Sequence, residues 1–165
     1  MLLNEIINTR QNDIEYVETT TDYYYEVRSK INNLPYCFSA SSSHYINDRI
    51  PENVLGNDRK NINAWEIIFG IDPVDDEDES DELIVDLTGT GDSIKVFTWV
   101  ESCFNLFIQK YNNRVRFVLF SSDVNEPSRV KLYDAIVKFL VRRGWKFHGK
   151  TNEGHYVHYI CEKNS

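Results

Sequence analysis

The feature that most constrains this chain is a glycine-rich turn, Thr88-Gly89-Thr90-Gly91-Asp92, set between two runs of different hydrophobic period. Before it, Leu83-Ile84-Val85 with Leu87 form a nearly continuous apolar stretch of strand length, the pattern of a strand buried on both faces. After it, Ile94, Phe97, Val100, Phe104, Phe107, Ile108 and Tyr111 recur at three- and four-residue steps, the period of an amphipathic helix. Asp92 is placed to cap that helix or to complement the positive end of its dipole. A buried strand that hands over to an amphipathic helix through a tight turn commits the chain to a layered α/β arrangement. The turn also gathers unpaired backbone N–H groups at a helix N-terminus, where they can cradle a phosphate or pyrophosphate. It is not a P-loop, because no Gly-Lys-Ser/Thr follows, and not a dinucleotide fingerprint, because Ile94 stands where a third glycine belongs. Two readings remain open: a pyrophosphate loop made of Thr88, Gly89, Thr90, Gly91 and Asp92, or a bend that needs small residues merely to turn.

The rest of the chain supplies a sheet for this unit. Leu3, Ile6 and Ile7 fall at helical spacing and predict a marginal helix or arm over residues 1–20. Tyr23, Tyr25 and Val27 alternate with polar residues, as do Tyr36, Phe38 and Ala40, and Asn32-Asn33 between them tolerates the positive φ of a hairpin turn. Residues 41–63, rich in Ser, Asn and Asp, read as a surface loop or short irregular helix. Trp65, Ile67 and Phe69 alternate as a third strand, and an acidic loop over residues 72–82 separates it from the strand at Leu83. Past the central helix, residues 114–121 read as a strand and Ser128 as the N-cap of a second helix. That helix carries Leu132, Tyr133, Ile136, Val137, Leu140 and Val141 and stops at Gly144, with Arg142 and Arg143 in its last turn. Residues 145–150 and 155–162 close the chain as a hairpin around Asn152-Glu153-Gly154. The expectation is a single α/β (α+β) domain over residues 1–165, with one mixed, mostly antiparallel sheet and helices packed against it.

A chain of 165 residues fits one core, and its 13% aromatic content supplies large rings to fill it. Net charge is −8, which argues against direct nucleic-acid binding, since phosphate neutralisation needs a cationic face. Cys37, Cys103 and Cys161 have no paired spacing, so neither a disulfide framework nor a metal knuckle is indicated, and a reducing cytoplasm is the expected setting. No window approaches the roughly 18 apolar residues of a membrane span, and the N-terminus lacks the pattern of a leader.

Asp86-Leu87-Thr88-Gly89-Thr90-Gly91 resembles the Arg/Gln-x-x-Gly-x-Gly/Ala loop of the GCN5-related N-acetyltransferase (GNAT) superfamily, and the order of elements resembles that family too. Thr88 to Asp92 with Val96-Phe97, and Ser128-Arg129 with Lys131-Leu132-Tyr133, also resemble uncharacterised acetyltransferase-like proteins of tailed bacteriophages. The resemblance spans residues 83–163 and implies a GNAT-like fold. It further implies that Gly89, Thr90 and Gly91 donate backbone N–H groups to the pyrophosphate of acetyl-CoA, and that Tyr133 lies on the helix that offers a general-acid tyrosine. The sequence departs from the family at Asp86, where Arg or Gln is usual, and a carboxylate beside a pyrophosphate repels it. Gly144-Trp145 also comes later after Tyr133 than the family's Gly-Phe pair does.

Each remaining candidate has a plainer reading beside it. Tyr133, among Leu132, Ile136 and Val137, reads equally as a core tyrosine. Glu66 between Trp65 and Ile67 could serve as a base if desolvated, but alternation places it opposite those rings, where a solvated or cross-strand-paired carboxylate is expected. His155, His158 and Cys161 have metal-like spacing, yet a strand turns His158 to the other side, so no metal is expected. Lys131, Lys138 and Arg142 share one stripe of the second helix, its solvent face. Asp75, Asp76, Glu77, Asp78, Glu79, Asp81 and Glu82 form either a solvated loop or a surface for a cationic protein partner. Two functions follow. One is a phage-type accessory protein of GNAT-like fold, in the host cytoplasm, that binds a host or viral protein through the acidic run. The other is an acetyl-CoA-dependent N-acyltransferase that uses the Gly89/Gly91 turn.

Overall fold

The computed structural model describes residues 3–5, 16–71, 92–123, 125 and 127–164. The strand expected at residues 83–87, the turn at Thr88, Gly89, Thr90 and Gly91, and the acidic run from Asp75 to Glu82 lie outside the described residues. Among the described residues, eight strands form one sheet: β1 (Leu3–Glu5), β2 (Tyr16–Thr20), β3 (Tyr24–Ile31), β4 (Leu34–Ser42), β5 (Ala64–Ile71), β6 (Phe117–Asp123), β7 (Lys146–Glu153) and β8 (Tyr156–Glu162). Their order across the sheet is β1-β2-β3-β4-β5-β6-β8-β7. Every neighbouring pair is antiparallel except β5 and β6, which are parallel. Short helices α1 (His44–Asn47) and α2 (Glu52–Leu55) lead into β5, the long helix α3 (Asp92–Tyr111) precedes β6, and α4 (Pro127–Arg142) precedes β7. The expected mixed, mostly antiparallel sheet with helices against it is therefore present.

Asn32 and Asn33 both hold positive φ, 51° and 64°, and close the β3–β4 hairpin in the primed turn that suits the right-handed twist of two strands. Of residues 1–20, expected as a marginal helix or arm, Leu3–Glu5 and Tyr16–Thr20 are strands, and residues 6–15 with Ile6 and Ile7 lie outside the described residues. β2 pairs with the edge of β3 from Tyr16↔Ser29 to Thr20↔Tyr25, and β1 pairs with β2 in turn. A short helix costs its nucleation and gains little, whereas an open strand edge offers a row of backbone partners at once.

One face of the sheet carries Tyr25, Val27, Phe38, Ala40, Trp65, Ile67, Phe69, Val118, Phe120 and Tyr159, and α3 and α4 pack on it. α3 buries Val96, Trp99, Val100, Cys103, Phe104, Phe107 and Tyr111, a stripe at the expected period. Ile94, read as part of that stripe, is 72% exposed, because the buried stripe begins at Val96, two residues on and so on the other side of the helix. Rings interlock in this layer: Trp65 meets Phe107 at 5.1 Å and Tyr111 at 4.7 Å, and its Nε1 donates to the Arg114 carbonyl at 2.8 Å. Each such ring pair adds about 0.5–1.5 kcal/mol beyond its area burial. α4 begins at Pro127, one residue ahead of the expected Ser128 cap, in keeping with proline's fitness for the first helical position. It ends as predicted at Gly144, with φ 89°. The Trp145 N–H donates to the Leu140 carbonyl and the Gly144 N–H to that of Val141, the pair of bonds that satisfies a helix C-terminus.

Among the described residues, a smaller cluster covers part of the opposite face. Of residues 41–63, expected as a loop or short irregular helix, Ser41 and Ser42 end β4 and the rest carries α1 and α2, and its Ile46, Ile50 and Leu55 seal Ala64, Phe117, Leu119 and Ile160. Ser43 caps α1, its Oγ accepting from the Ile46 N–H at 3.4 Å. The turn that follows α1 delivers Arg49 to the border of this small cluster.

Candidate functional site

The parallel pair β5–β6 is short. Its register runs Ala64↔Phe117, Trp65↔Val118 and Glu66↔Leu119. Past that last pair the strands run on to Ile71 and Asp123 without further pairing to each other. β5 stays registered with β4 as far as Tyr36↔Ile71, and β6 with β8 as far as Asp123↔Tyr156. A sheet held on both outer flanks but parted at one internal seam is a wedge. Side-chain alternation puts Trp65 and Val118 on the helix face of this seam and Glu66 and Ser121 on the other. β8 adds His158, in register with Ser121.

At the start of the wedge these side chains meet around Arg49. Its Nη1 donates to Glu66 Oε1 at 2.8 Å. Its Nη2 donates to Ser121 Oγ at 2.5 Å and lies 2.8 Å from His158 Nδ1. Ser121 Oγ is 2.7 Å from the same Nδ1 and 3.4 Å from Glu66 Oε1. On the far side of the ring, His158 Nε2 is 3.3 Å from Glu153 Oε2.

These contacts fix the proton positions. A guanidinium has donors only, so Nδ1 beside it must accept, and a neutral imidazole then carries its proton on Nε2, toward Glu153. Burial, reinforced by the Arg49 charge, pushes the His158 pKa below the ordinary imidazole value, against a smaller upward pull from Glu153 and Glu66. The ring is therefore neutral at neutral pH. The one Nδ1 lone pair is then shared between the Arg49 N–H and the Ser121 hydroxyl, and the guanidinium also lies against the Ser121 oxygen. Side chains here keep partial access to solvent, 26% for Arg49, 21% for Glu66 and 13% for His158, so a small ligand group can reach them. Chemically, the cluster can accept a proton at His158 Nδ1 and stabilise negative charge beside Arg49.

The residues predicted from sequence distribute differently. Tyr133, placed as a general acid by the resemblance, is 2% exposed in α4 and packs against Phe69, Phe120 and Tyr159 at 5.6, 5.6 and 5.7 Å. It lies on the helix face, across the sheet from the Arg49 cluster, and occupies the core position of the plainer reading. Asp92 opens α3 as expected. Glu66 is paired, as alternation foretold, but to Arg49 of the α1 turn. His158 and Cys161 point to opposite faces of β8, and among the described residues no group of three His, Cys, Asp or Glu side chains gathers as a metal would need. Cys37, Cys103 and Cys161 are free and buried, and burial pushes the Cys161 thiol up to about 12. Lys131, Lys138 and Arg142 are exposed on α4, as the stripe predicted. Among the described residues no helix is long and apolar enough to cross a membrane.

Sequence reasoning missed Arg49 and Ser121. Arg49 sits in an irregular segment without periodicity, and its partners lie far along the chain, so only the folded sheet brings them together. Ser121 carried one usable signal: it ends an apolar strand on the parity that faces away from the helices.

No protein-family model and no curated protein matches the sequence. Among solved structures, the chain is similar to the aminoglycoside acetyltransferase AAC(6')-Ib in complex with ribostamycin and coenzyme A, at 10% identity over 86% of this chain, with a TM-score of 0.41. The chain spans 64% of the length of that protein. It is also similar to a GNAT-family acetyltransferase from Streptococcus pneumoniae, at 9% identity over 87% of this chain and 68% of that one, with a TM-score of 0.38.

Proposed function

We propose that this chain is an acyl-CoA-dependent N-acyltransferase whose reaction centre is the wedge between β5 and β6. The observation that carries the reading is the parting of this internal parallel pair directly beside the Glu66–Arg49–Ser121–His158 cluster. A linear ligand with amide groups, such as the pantetheine arm of coenzyme A, can pair with parted strand edges much as an added strand would. Its thioester would then lie at the cluster, where Arg49 offers positive charge to the developing oxyanion and neutral His158 accepts a proton. Helix α3, which precedes the wedge strand β6, begins at Asp92. Thr88, Gly89, Thr90 and Gly91, which precede it, are the residues that the resemblance assigns to the pyrophosphate, and the N-terminus of a long helix favours that charge. Asp86 opposes it, so binding in the micromolar range or weaker is expected. The other reading, a protein-binding accessory role through Asp75 to Glu82, has no observation among the described residues behind it.

Calorimetry with acetyl-CoA and with CoA, joined to transfer of labelled acetyl to a panel of primary amines, tests the proposal. Saturable binding with label transfer supports it, as does CoA that co-purifies with the protein. No binding at millimolar concentration together with no transfer would sink it.

A further inference from the structure

We propose that Ser121 is a nucleophile and that the acyl group rests on its oxygen between donor and acceptor. This rests on the acyltransferase reading for the identity of the donor, but the nucleophile itself is argued from geometry. A serine is reactive when a base takes its proton, a third group orients that base, and fixed positive charge meets the oxyanion, and such sites are recognised by roles and not by order in the chain. All three roles are filled here. His158 Nδ1 lies 2.7 Å from Ser121 Oγ, Glu153 Oε2 stands 3.3 Å from the opposite ring nitrogen, and Arg49 Nη2 is 2.5 Å from Oγ. β6 and β8 hold the first pair rigidly, because Ser121 and His158 are register partners. Ser121 also lies beyond the last β5–β6 pair, on the open part of the wedge.

The chemistry balances without a further reactant. Ser121 Oγ attacks the thioester carbonyl as its proton passes to His158 Nδ1, whose lone pair is freed when the Arg49 N–H turns from it to the forming oxyanion. The tetrahedral oxyanion forms beside Arg49 and collapses, the carbon–sulfur bond breaks, and the thiolate takes the proton from His158 to leave as free thiol. A primary amine then attacks the Ser121 ester, His158 accepts the amine proton and returns it to Oγ as the carbon–oxygen bond breaks. The products are an amide and free serine. Water in place of the amine gives the carboxylic acid.

The test uses the intact chain and two acyl donors, acetyl-CoA and p-nitrophenyl acetate, with acid quench and peptide mass spectrometry. One acetyl group on the peptide containing Ser121, formed by either donor in the wild-type protein, is the expected result. It should be absent from Ser121→Ala and form about 10²–10⁴-fold more slowly in His158→Gln, the range a positioned base supplies. Mapping on the wild-type protein needs no variant to fold. Acetyl-CoA that binds and transfers its acetyl group with no adduct at Ser121 from either donor overturns the covalent step and leaves the acyltransferase reading standing. An adduct mapped to another residue overturns it as well. An adduct from the nitrophenyl ester without acetyl-CoA binding upholds Ser121 as nucleophile and removes coenzyme A as the donor.

Discussion

Replacing Arg49 by Met removes the hub of the cluster while keeping most of the side chain's length and apolar stem. Arg49 donates to one carboxylate, Glu66, and to two neutral groups, Ser121 and His158. A hydrogen bond to a charged group contributes about 1.5–3 kcal/mol net, and a neutral one about 0.5–1.5 kcal/mol. Glu66 keeps 21% of its side-chain exposure, so water takes over part of what is lost. The expected cost is therefore about 2–3 kcal/mol, below the roughly 3–5 kcal/mol of breaking a fully buried pair. For a domain of this length that lowers Tm by roughly 5–10 °C. Urea denaturation followed by tryptophan fluorescence measures it, since Trp65, Trp99 and Trp145 are all buried and report loss of the core. Equal m-values across the variants are the condition for comparing them. The diagnostic measurement is the double variant with Glu66→Gln. Once the carboxylate is gone, losing Arg49 no longer strands a charge, so the two changes together should cost about 1–2 kcal/mol less than their sum. Additivity to within about 0.5 kcal/mol would refute the argument, because it would mean that Arg49 and Glu66 do not sense each other.

Tyr133→Phe separates the two readings of that residue: as a packed ring it should cost at most about 1 kcal/mol of stability with acetyl transfer unchanged, whereas a general-acid role would cost about 10²-fold or more in rate. His158 makes stability depend on pH with a definite sign. Arg49, Glu66 and Glu153 face its ring, and burial with the Arg49 charge holds its pKa below the unfolded value, so the folded protein binds the proton less readily. The associated stability is present above the unfolded value near about 6.5 and is lost as pH falls through the lower folded value. Thermal melts of the wild type should accordingly lose more Tm on acidification through this window than those of His158→Gln, and parallel curves would contradict the placement of the ring.

Local rules reached most of the elements because their signals are local. The alternation of Tyr25 and Val27 and of Phe38 and Ala40 about Asn32-Asn33 specifies a hairpin without help from the rest of the chain. The step of Val96, Val100, Phe104, Phe107 and Tyr111 specifies a helix and the side it buries. Gly144 stops α4 because a left-handed residue is needed there. Rules of this kind failed at the N-terminus, where the choice between helix and strand was made by the available edge of β3. The general-acid role of Tyr133 came from the resemblance and not from such rules, which read the residue as a core tyrosine, and its ring packs among Phe69, Phe120 and Tyr159.

By itself, then, the sequence determined a single mixed α/β layer, the helix faces, the hairpins and the side of β5 to which Glu66 points, because hydrophobic period and turn chemistry act over a few residues. Only the tertiary structure decided that β5 and β6 part after Glu66↔Leu119 and that Arg49 joins Glu66, Ser121 and His158. Those four residues come from one turn and three strands scattered along the chain. The contacts among them depend on strand order and register, which are set by the core as a whole and leave no periodic trace in the sequence.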